Sequence, residues 1–146
     1  MDIIYEFKDK YQFLSNMYPC PVPGKKYTFT CAESAFQSAK AAHPEAYVHM
    51  NGFTAKQAGK SEKLPNNWDI KKISVMKAVL KQKFSFNEDL KEQLIATGDA
   101  LLIEGNTWHD NTWGVCMCPN CQEHGGANLL GELLMQLREE LKEGEK

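Results

Sequence analysis

Trp68-Asp-Ile-Lys-Lys72-Ile73-Ser-Val-Met76-Lys-Ala-Val79-Leu80-Lys-Gln-Lys83-Phe84 is the stretch that decides the fold. Ile73, Met76, Leu80 and Phe84 recur at helical spacing, which predicts one long helix over 68–84 with most lysines around its other side. Lys83 is the exception, because its helical angle puts it beside Met76 and Leu80. A lysine there either snorkels or points into a cavity. Trp68 opens the helix, and Lys72, Val79 and Lys83 extend its stripe. Such an indole could stack on a planar base while ammonium groups meet phosphate or ribose. A core tryptophan with snorkelling lysines accounts for the same residues without a ligand.

Outward from this helix the helical pattern continues on both sides. Asn87 is expected to cap a further helix with Leu90, Leu94 and Ile95 inward, stopping near Gly98. Ala100 to Glu104 reads as a short buried strand, and 128–141 as a final helix with Leu129, Leu133, Leu137 and Leu141 inward. Toward the N-terminus, Thr54 is a candidate cap for a short helix through Gly59. Ala32, Ala35, Phe36, Ala39 and Ala42 form one apolar stripe ended by Pro44. Pro19, Pro21, Pro23 and Gly24 punctuate the first segment, which suits a hairpin bringing 27–30 back along Ile3-Ile4-Tyr5. The chain is therefore expected to be mostly helical with a small β component.

With 146 residues, 42% hydrophobic and 25% charged, the composition is that of one soluble globular domain spanning 1–146. No apolar run approaches bilayer thickness, so no membrane contact is expected. Met1-Asp-Ile-Ile-Tyr5 does not resemble a secretory signal. The five cysteines are an odd number, and three crowd into 116–121. That argues for a reducing, cytoplasmic setting and against a disulfide framework. A net charge of −2 gives no global attraction for polyanions, although lysines cluster at 56–63 and 71–83.

Several residues carry candidate chemistry. Glu33, Gln37 and Lys40 fall at i, i+4 and i+7 beside the Phe36 stripe, where burial can tune a carboxylate for acid–base work; a surface salt-bridge stripe has the same spacing. Glu104 and Asp110 lie near Trp113, a pair suited to cleaving a glycosidic bond, or, for Asp110, to capping its own loop. Cys116, Cys118, Cys121 and His124 offer four zinc-type ligands in one short loop. Cys20, Cys31 or His109 could equally be the fourth, and free thiols or a redox disulfide are the alternatives. Three thiolates would make such a zinc structural, ordering the loop that presents Asp110 and Trp113. The loop from Gly105 to Ala127 is too long for a mere connector.

These residues together resemble a known family, the NADAR/YbiA-like N-glycosidases, over nearly the whole chain. The matching blocks are Phe13-Leu-Ser15-Asn16, Ala32-Glu33-Ser-Ala-Phe36-Gln37-Ser-Ala-Lys40, Ala58-Gly59, 68–76, Lys83-Phe84, Leu94, Leu102-Ile-Glu104, Asp110-Asn-Thr-Trp113-Gly114, Asn128-Leu-Leu-Gly131 and 134–138. The resemblance implies an α-rich α+β fold, a compact orthogonal helical domain with a few short antiparallel strands. It implies hydrolysis of an N-glycosidic bond, with no cofactor required for catalysis. The implied substrates are riboflavin-pathway ribosylamine phosphate intermediates or ADP-ribose attached to guanine, free or within nucleic acid. On this pattern Glu33, Trp68 and Asp110 are the catalytic candidates. Ser15, Asn16, Gln37, Lys40, Lys72, Lys83, Glu104, Trp113, Gly114 and Asn128 are the substrate-binding ones. Relatives often have a basic residue where this chain has Ala127; the Gly126 and Asn128 backbone could still cradle an anion at the final helix's N-terminus. A non-catalytic NAD or ADP-ribose binder, and a small zinc-stabilised interaction module, are the rival functions.

Overall fold

The computed structural model describes residues 2–122 and 125–144. The chain resolves into two compact units, Met1–Ser15 with Glu92–Lys146 and Asn16–Lys91. Among the described residues no helix is long and apolar enough to cross a membrane. Among the described residues, short strands and five α-helices make up the α-rich α+β fold.

The Asn16–Lys91 unit opens with strands β2 (Val22–Pro23) and β3 (Thr28–Phe29), paired antiparallel with Val22 opposite Phe29. The expected hairpin onto Ile3-Ile4-Tyr5 is therefore replaced by a tighter one. Its turn is closed by Gly24 N–H on the Tyr27 carbonyl at 2.7 Å. Next comes α1 (Ala32–Ser38), shorter than the alanine stripe suggested, and all seven of its residues are buried. Alanine and serine side chains are small enough for a helix to be enclosed on every side, so the burial follows from composition. Cys31 caps it by accepting from Ser34 N–H.

Helix α2 (Gly52–Gly59) is capped by Asn51, whose Oδ1 accepts from Thr54 N–H at 2.8 Å. Thr54 is thus the capped residue and not the cap. Helix α3 (Trp68–Phe86) buries Trp68, Met76, Leu80, Lys83 and Phe84 as the spacing predicts. Ile73, assigned to the same stripe, is 39% exposed. Val22, Phe29, Ala35, Tyr47 and Ala55 form this unit's apolar cluster. Helix α4 (Glu88–Ala96) follows, and the boundary between the units falls within it. Asn87 lies between α3 and α4 and accepts from Leu90 and Lys91 N–H through its carbonyl.

In the other unit β1 (Ile3–Ile4) pairs with β4 (Leu101–Leu102), and β5 (Gly105–Asn106) with β6 (Val115–Cys116). Both pairs are parallel, which corrects the expectation of antiparallel strands throughout: each is a two-residue bridge between distant segments and not a hairpin. Helix α5 (Leu129–Gly144) packs against β4 and buries Leu130, Leu133, Leu134 and Leu137, an i, i+3, i+4, i+7 set. Gly131 permits the approach, since a Cβ there would lie 2.0 Å from the Leu102 carbonyl oxygen.

Candidate functional site

The carboxylate of Glu33 lies within α1 and is only 8% exposed as a residue. It is held by Gln37 Nε2, which donates to Oε1 at 2.8 Å one helical turn later. Glu33 N–H donates to the Asn16 carbonyl at 2.9 Å, tying the start of α1 to that segment. Asn16 is buried as well, with Nδ2 on the Met76 sulfur at 3.4 Å. Asn16 Oδ1 and Gln37 Oε1 are buried acceptors with no hydrogen-bond partner among the described residues. Stable cores avoid such atoms, because each costs about 1–3 kcal/mol.

Trp68 meets Phe36 at 5.5 Å between ring centroids. Lys40 Nζ sits 5.9 Å from both ring centroids, within the reach of a cation–π contact. Burial lowers the Lys40 pKa below the ordinary lysine value, while the charges of Glu33 and Glu62 pull it partly back and Lys72 pushes it further down. The α1 stripe is therefore no exposed salt-bridge ladder: it is a buried carboxylate, its amide clamp and a half-buried amine over two aromatic rings. Lys72 is a more ordinary residue, paired with Asp69 at 3.5 Å on the first turn of α3. Lys83 is wholly enclosed, with Nζ 5.1 Å from the Phe84 ring centroid and 5.9 Å from that of Tyr18. Burial brings its pKa down to about 8, against the opposing pull of Cys20 and Cys31.

Two contributors to this region carried no role in the sequence reading. Gly59 has a backbone so close to Gln37 that a Cβ would fall 1.9 Å from Oε1. Tyr47 donates to Glu62 at 2.6 Å, and its pKa is pushed up to about 12 by burial and that bond. The Ala-Gly motif was a signal for the first; nothing in the local pattern marked the second.

The loop residues of the other unit have a different local logic. Asp110 Oδ1 accepts from Thr112 N–H at 3.1 Å and Trp113 N–H at 2.9 Å, the turn-forming use of an aspartate. The carbonyls of Gly114, Thr112 and Trp113 in turn accept from Asn128, Leu129 and Leu130 N–H. The 112–114 loop thus occupies the donors at the start of α5, which corrects the expectation of an anion cradle there. Asn128 itself is stapled to the strand, accepting from Glu104 N–H at 3.0 Å and donating to the Leu102 carbonyl at 2.9 Å. Gly114 is packed against Glu104, where a Cβ would lie 2.0 Å from the carbonyl oxygen. Ser15 ends the 3-10 helix Asp9–Leu14, its N–H on the Gln12 carbonyl. A cleft of about 500 Å³ in this unit is lined by Lys10, Tyr11, Gln93 and Thr97 among others and includes none of the predicted site residues.

Cys116, Cys118 and Cys121 do come together, and His109 joins them: the four ligand atoms lie within 4.8 Å of one another and could hold a metal ion. His124, the expected fourth ligand, lies outside the described residues.

Comparison with known proteins finds relatives over nearly the whole chain. The NADAR domain profile matches residues 4–142. The chain is 31% identical over 144 residues to the N-glycosidase YbiA of Escherichia coli (strain K12), covering 94% of this chain and 86% of that protein. It is 29% identical over 147 residues to a riboflavin biosynthesis protein of Vibrio vulnificus (strain YJ016), covering 95% of this chain and 38% of the longer relative. The solution structure of the E. coli YbiA protein superimposes with a TM-score of 0.84 at 32% identity, covering 99% of this chain and 87% of that one. By the profile match, the sequence identity and the shared fold, this chain belongs to the NADAR domain family.

Proposed function

We propose that the chain is an N-glycosidase, hydrolysing the bond between the anomeric carbon of a ribosyl or ADP-ribosyl group and a nitrogen of a heterocyclic base. The observation that carries this reading is the Glu33 carboxylate, buried on α1 and clamped by Gln37, with Lys40 lying over Trp68 and Phe36. Such an arrangement is hard to justify by stability, and departures of this kind concentrate where function outranks packing. The name of the E. coli relative, an N-glycosidase, supports the same reaction class, and that of the Vibrio relative supports a riboflavin-route substrate.

As the carbon–nitrogen bond lengthens, positive charge develops on the sugar ring, and a carboxylate in apolar surroundings stabilises it far more than one in water. Glu33 takes the proton of an attacking water, whose oxygen bonds to the anomeric carbon. The departing nitrogen receives a proton and leaves as the neutral base. Trp68 offers a flat face for sugar or base, and Lys40 and Lys72 offer charge for a phosphate. Asp110 is retained as a catalytic candidate on the strength of the family motif. The substrate class is a small ribosylamine phosphate of the riboflavin route or an ADP-ribosylated guanine. The net charge of −2 favours the small molecule over long duplex nucleic acid.

The placement of the Lys40 amine over Trp68 and Phe36, beside the Glu33 helix, supports a second route. A neutral amine attacks the anomeric carbon of the ring-opened sugar, the base leaves with a proton, and water hydrolyses the resulting imine back to amine and aldehyde. Borohydride, which reduces an imine to a stable amine, separates the routes: a trapped protein–sugar adduct selects the lysine, and its absence under turnover selects Glu33. The function itself is tested by incubation with ribosylamine-phosphate pyrimidines, NAD, ADP-ribosyl-guanosine and ADP-ribosylated DNA. Chromatography then reports which base is released. Tight binding without release from any of them would make the protein a binding module and overturn the proposal. Asp110→Asn and Glu33→Gln, each still folded, should both lose turnover; full activity in both would sink the site assignment.

A further inference from the structure

We propose that His109, Cys116, Cys118 and Cys121 form a closed, structural zinc site that clips the loop covering the start of α5. The proposal does not depend on the reaction assigned above. Three sulfurs converge on one atom: His109 Nδ1 lies 3.3 Å from Cys121 Sγ, 3.5 Å from Cys118 Sγ and 3.8 Å from Cys116 Sγ. An imidazole nitrogen has one lone pair or one proton, so it cannot satisfy three thiols by hydrogen bonding. A shared cation can. In a regular tetrahedron with the usual zinc–nitrogen and zinc–sulfur bond lengths, nitrogen and sulfur ligands stand about 3.6 Å apart. The three distances bracket that value.

The supporting backbone has the form of two ligand pairs. Cys118-Pro-Asn-Cys121 is a C-x-x-C turn in which Cys121 and Gln122 N–H donate to the Cys118 carbonyl at 3.1 and 3.2 Å. The second pair comes from either side of the 110–114 turn. Cys116 lies on β6, its N–H on Asn111 Oδ1 at 2.8 Å, and His109 lies within a turn built around Asn106, whose Oδ1 accepts from Trp108 and Asp110 N–H. The unusual C-x-C-x-x-C spacing is explained once Cys116 pairs with His109 and not with a neighbouring cysteine.

Three thiolates and an imidazole fill all four positions of zinc and leave none for a reacting water, so the site is structural. Its mechanical role follows from what it encloses. His109 and Cys116 bracket Asp110, Thr112, Trp113 and Gly114, whose side-chain turn and carbonyls cover the first donors of α5. Zinc closes this loop at both ends.

Protein purified under reducing conditions should contain one zinc per chain by elemental analysis. Cobalt(II) exchanged into it should show the intense visible bands of a tetrahedral site with thiolate charge transfer. His109→Ala and Cys121→Ser should lose the metal, while His124→Ala and Cys20→Ser keep it. Chelation of the wild-type protein should increase hydrogen exchange at the amides of 110–117 and at Leu129 and Leu130. Wild-type protein without zinc, or with a disulfide among these cysteines as isolated, would overturn the site. Metal lost in His124→Ala but retained in His109→Ala would overturn the ligand assignment.

Discussion

Glu33 illustrates how much one turn of helix can decide. A carboxylate on a fully buried helix keeps its charge only if polar partners replace water, and Gln37 is such a partner. Glu33→Gln preserves size and leaves Gln37 a neutral neighbour, so the fold should persist while turnover falls about 10²–10⁴-fold, the usual contribution of a general acid–base group. Steady-state base release beside a thermal melt checks both halves. Gly59→Ala is the more discriminating change, because two effects oppose each other. Alanine in a helix is favoured over glycine by about 1 kcal/mol. Against that, the new Cβ would fall 1.9 Å from Gln37 Oε1 and 2.7 Å from its Cδ, so the buried amide must move. Overpacking of a buried side chain costs about 1–3 kcal/mol, so stability should be unchanged or fall by up to about 2 kcal/mol, while kcat drops through misplacement of Gln37 and with it Glu33. Unchanged kcat with a normal melt would show that the clamp does not position the carboxylate.

At the scale of an element, α5 shows why glycine and asparagine crowd ahead of a helix. They serve close backbone approach: Gly131 against the Leu102 carbonyl, and Asn128 with φ 51° and its amide bridging Leu102 and Glu104. Asn128→Ala strands two strand-backbone groups and places an ordinary residue in the left-handed region. It should destabilise by about 2–4 kcal/mol in urea unfolding. Asn128→Gly removes the backbone strain alone and should recover only the smaller part of that loss. If the glycine variant recovers it all, the staple contributes nothing. These bonds also explain what the sequence reading could not see. The loop from Gly105 to Ala127 was legible as more than a connector, but the partners of its residues and of Asn128 are carbonyls brought in by the chain's return, which no local pattern encodes. The two-residue parallel bridges were hidden for the same reason, since they lack both the turn chemistry and the alternation that announce a hairpin. His109, which the fold gathers with the three cysteines, was only one of several candidates for that cluster because it stands apart from them in the chain.

For the molecule as a whole, the long helix was legible because Met76, Leu80 and Phe84 obey a period that burial enforces. The oddity the period exposed, Lys83, is the residue with the widest consequence for stability. It is fully enclosed, and its folded-state pKa of about 8 lies below the ordinary 10.5. Between those values the unfolded chain binds more protons than the folded one, so stability rises with pH across that window. Below pH 8 both states are protonated, and the buried ammonium costs a constant amount of about 3 kcal/mol, from 2.5 pKa units at 1.36 kcal/mol each. Cys20 lies in the same electrostatic environment, its thiol pushed up by burial and pulled down by Lys83, so the wild-type curve alone mixes their titrations. The difference from Lys83→Met isolates the lysine, because methionine matches its length without the charge. Urea unfolding at pH 7 should find the variant at least as stable as the wild type. The gap should close as pH rises from about 8 to 10, as the wild-type lysine gives up its proton. Parallel curves over that range would mean that the Lys83 ammonium is fully compensated where it sits, by the Tyr18 and Phe84 rings and the thiols of Cys20 and Cys31, and that its burial carries no penalty.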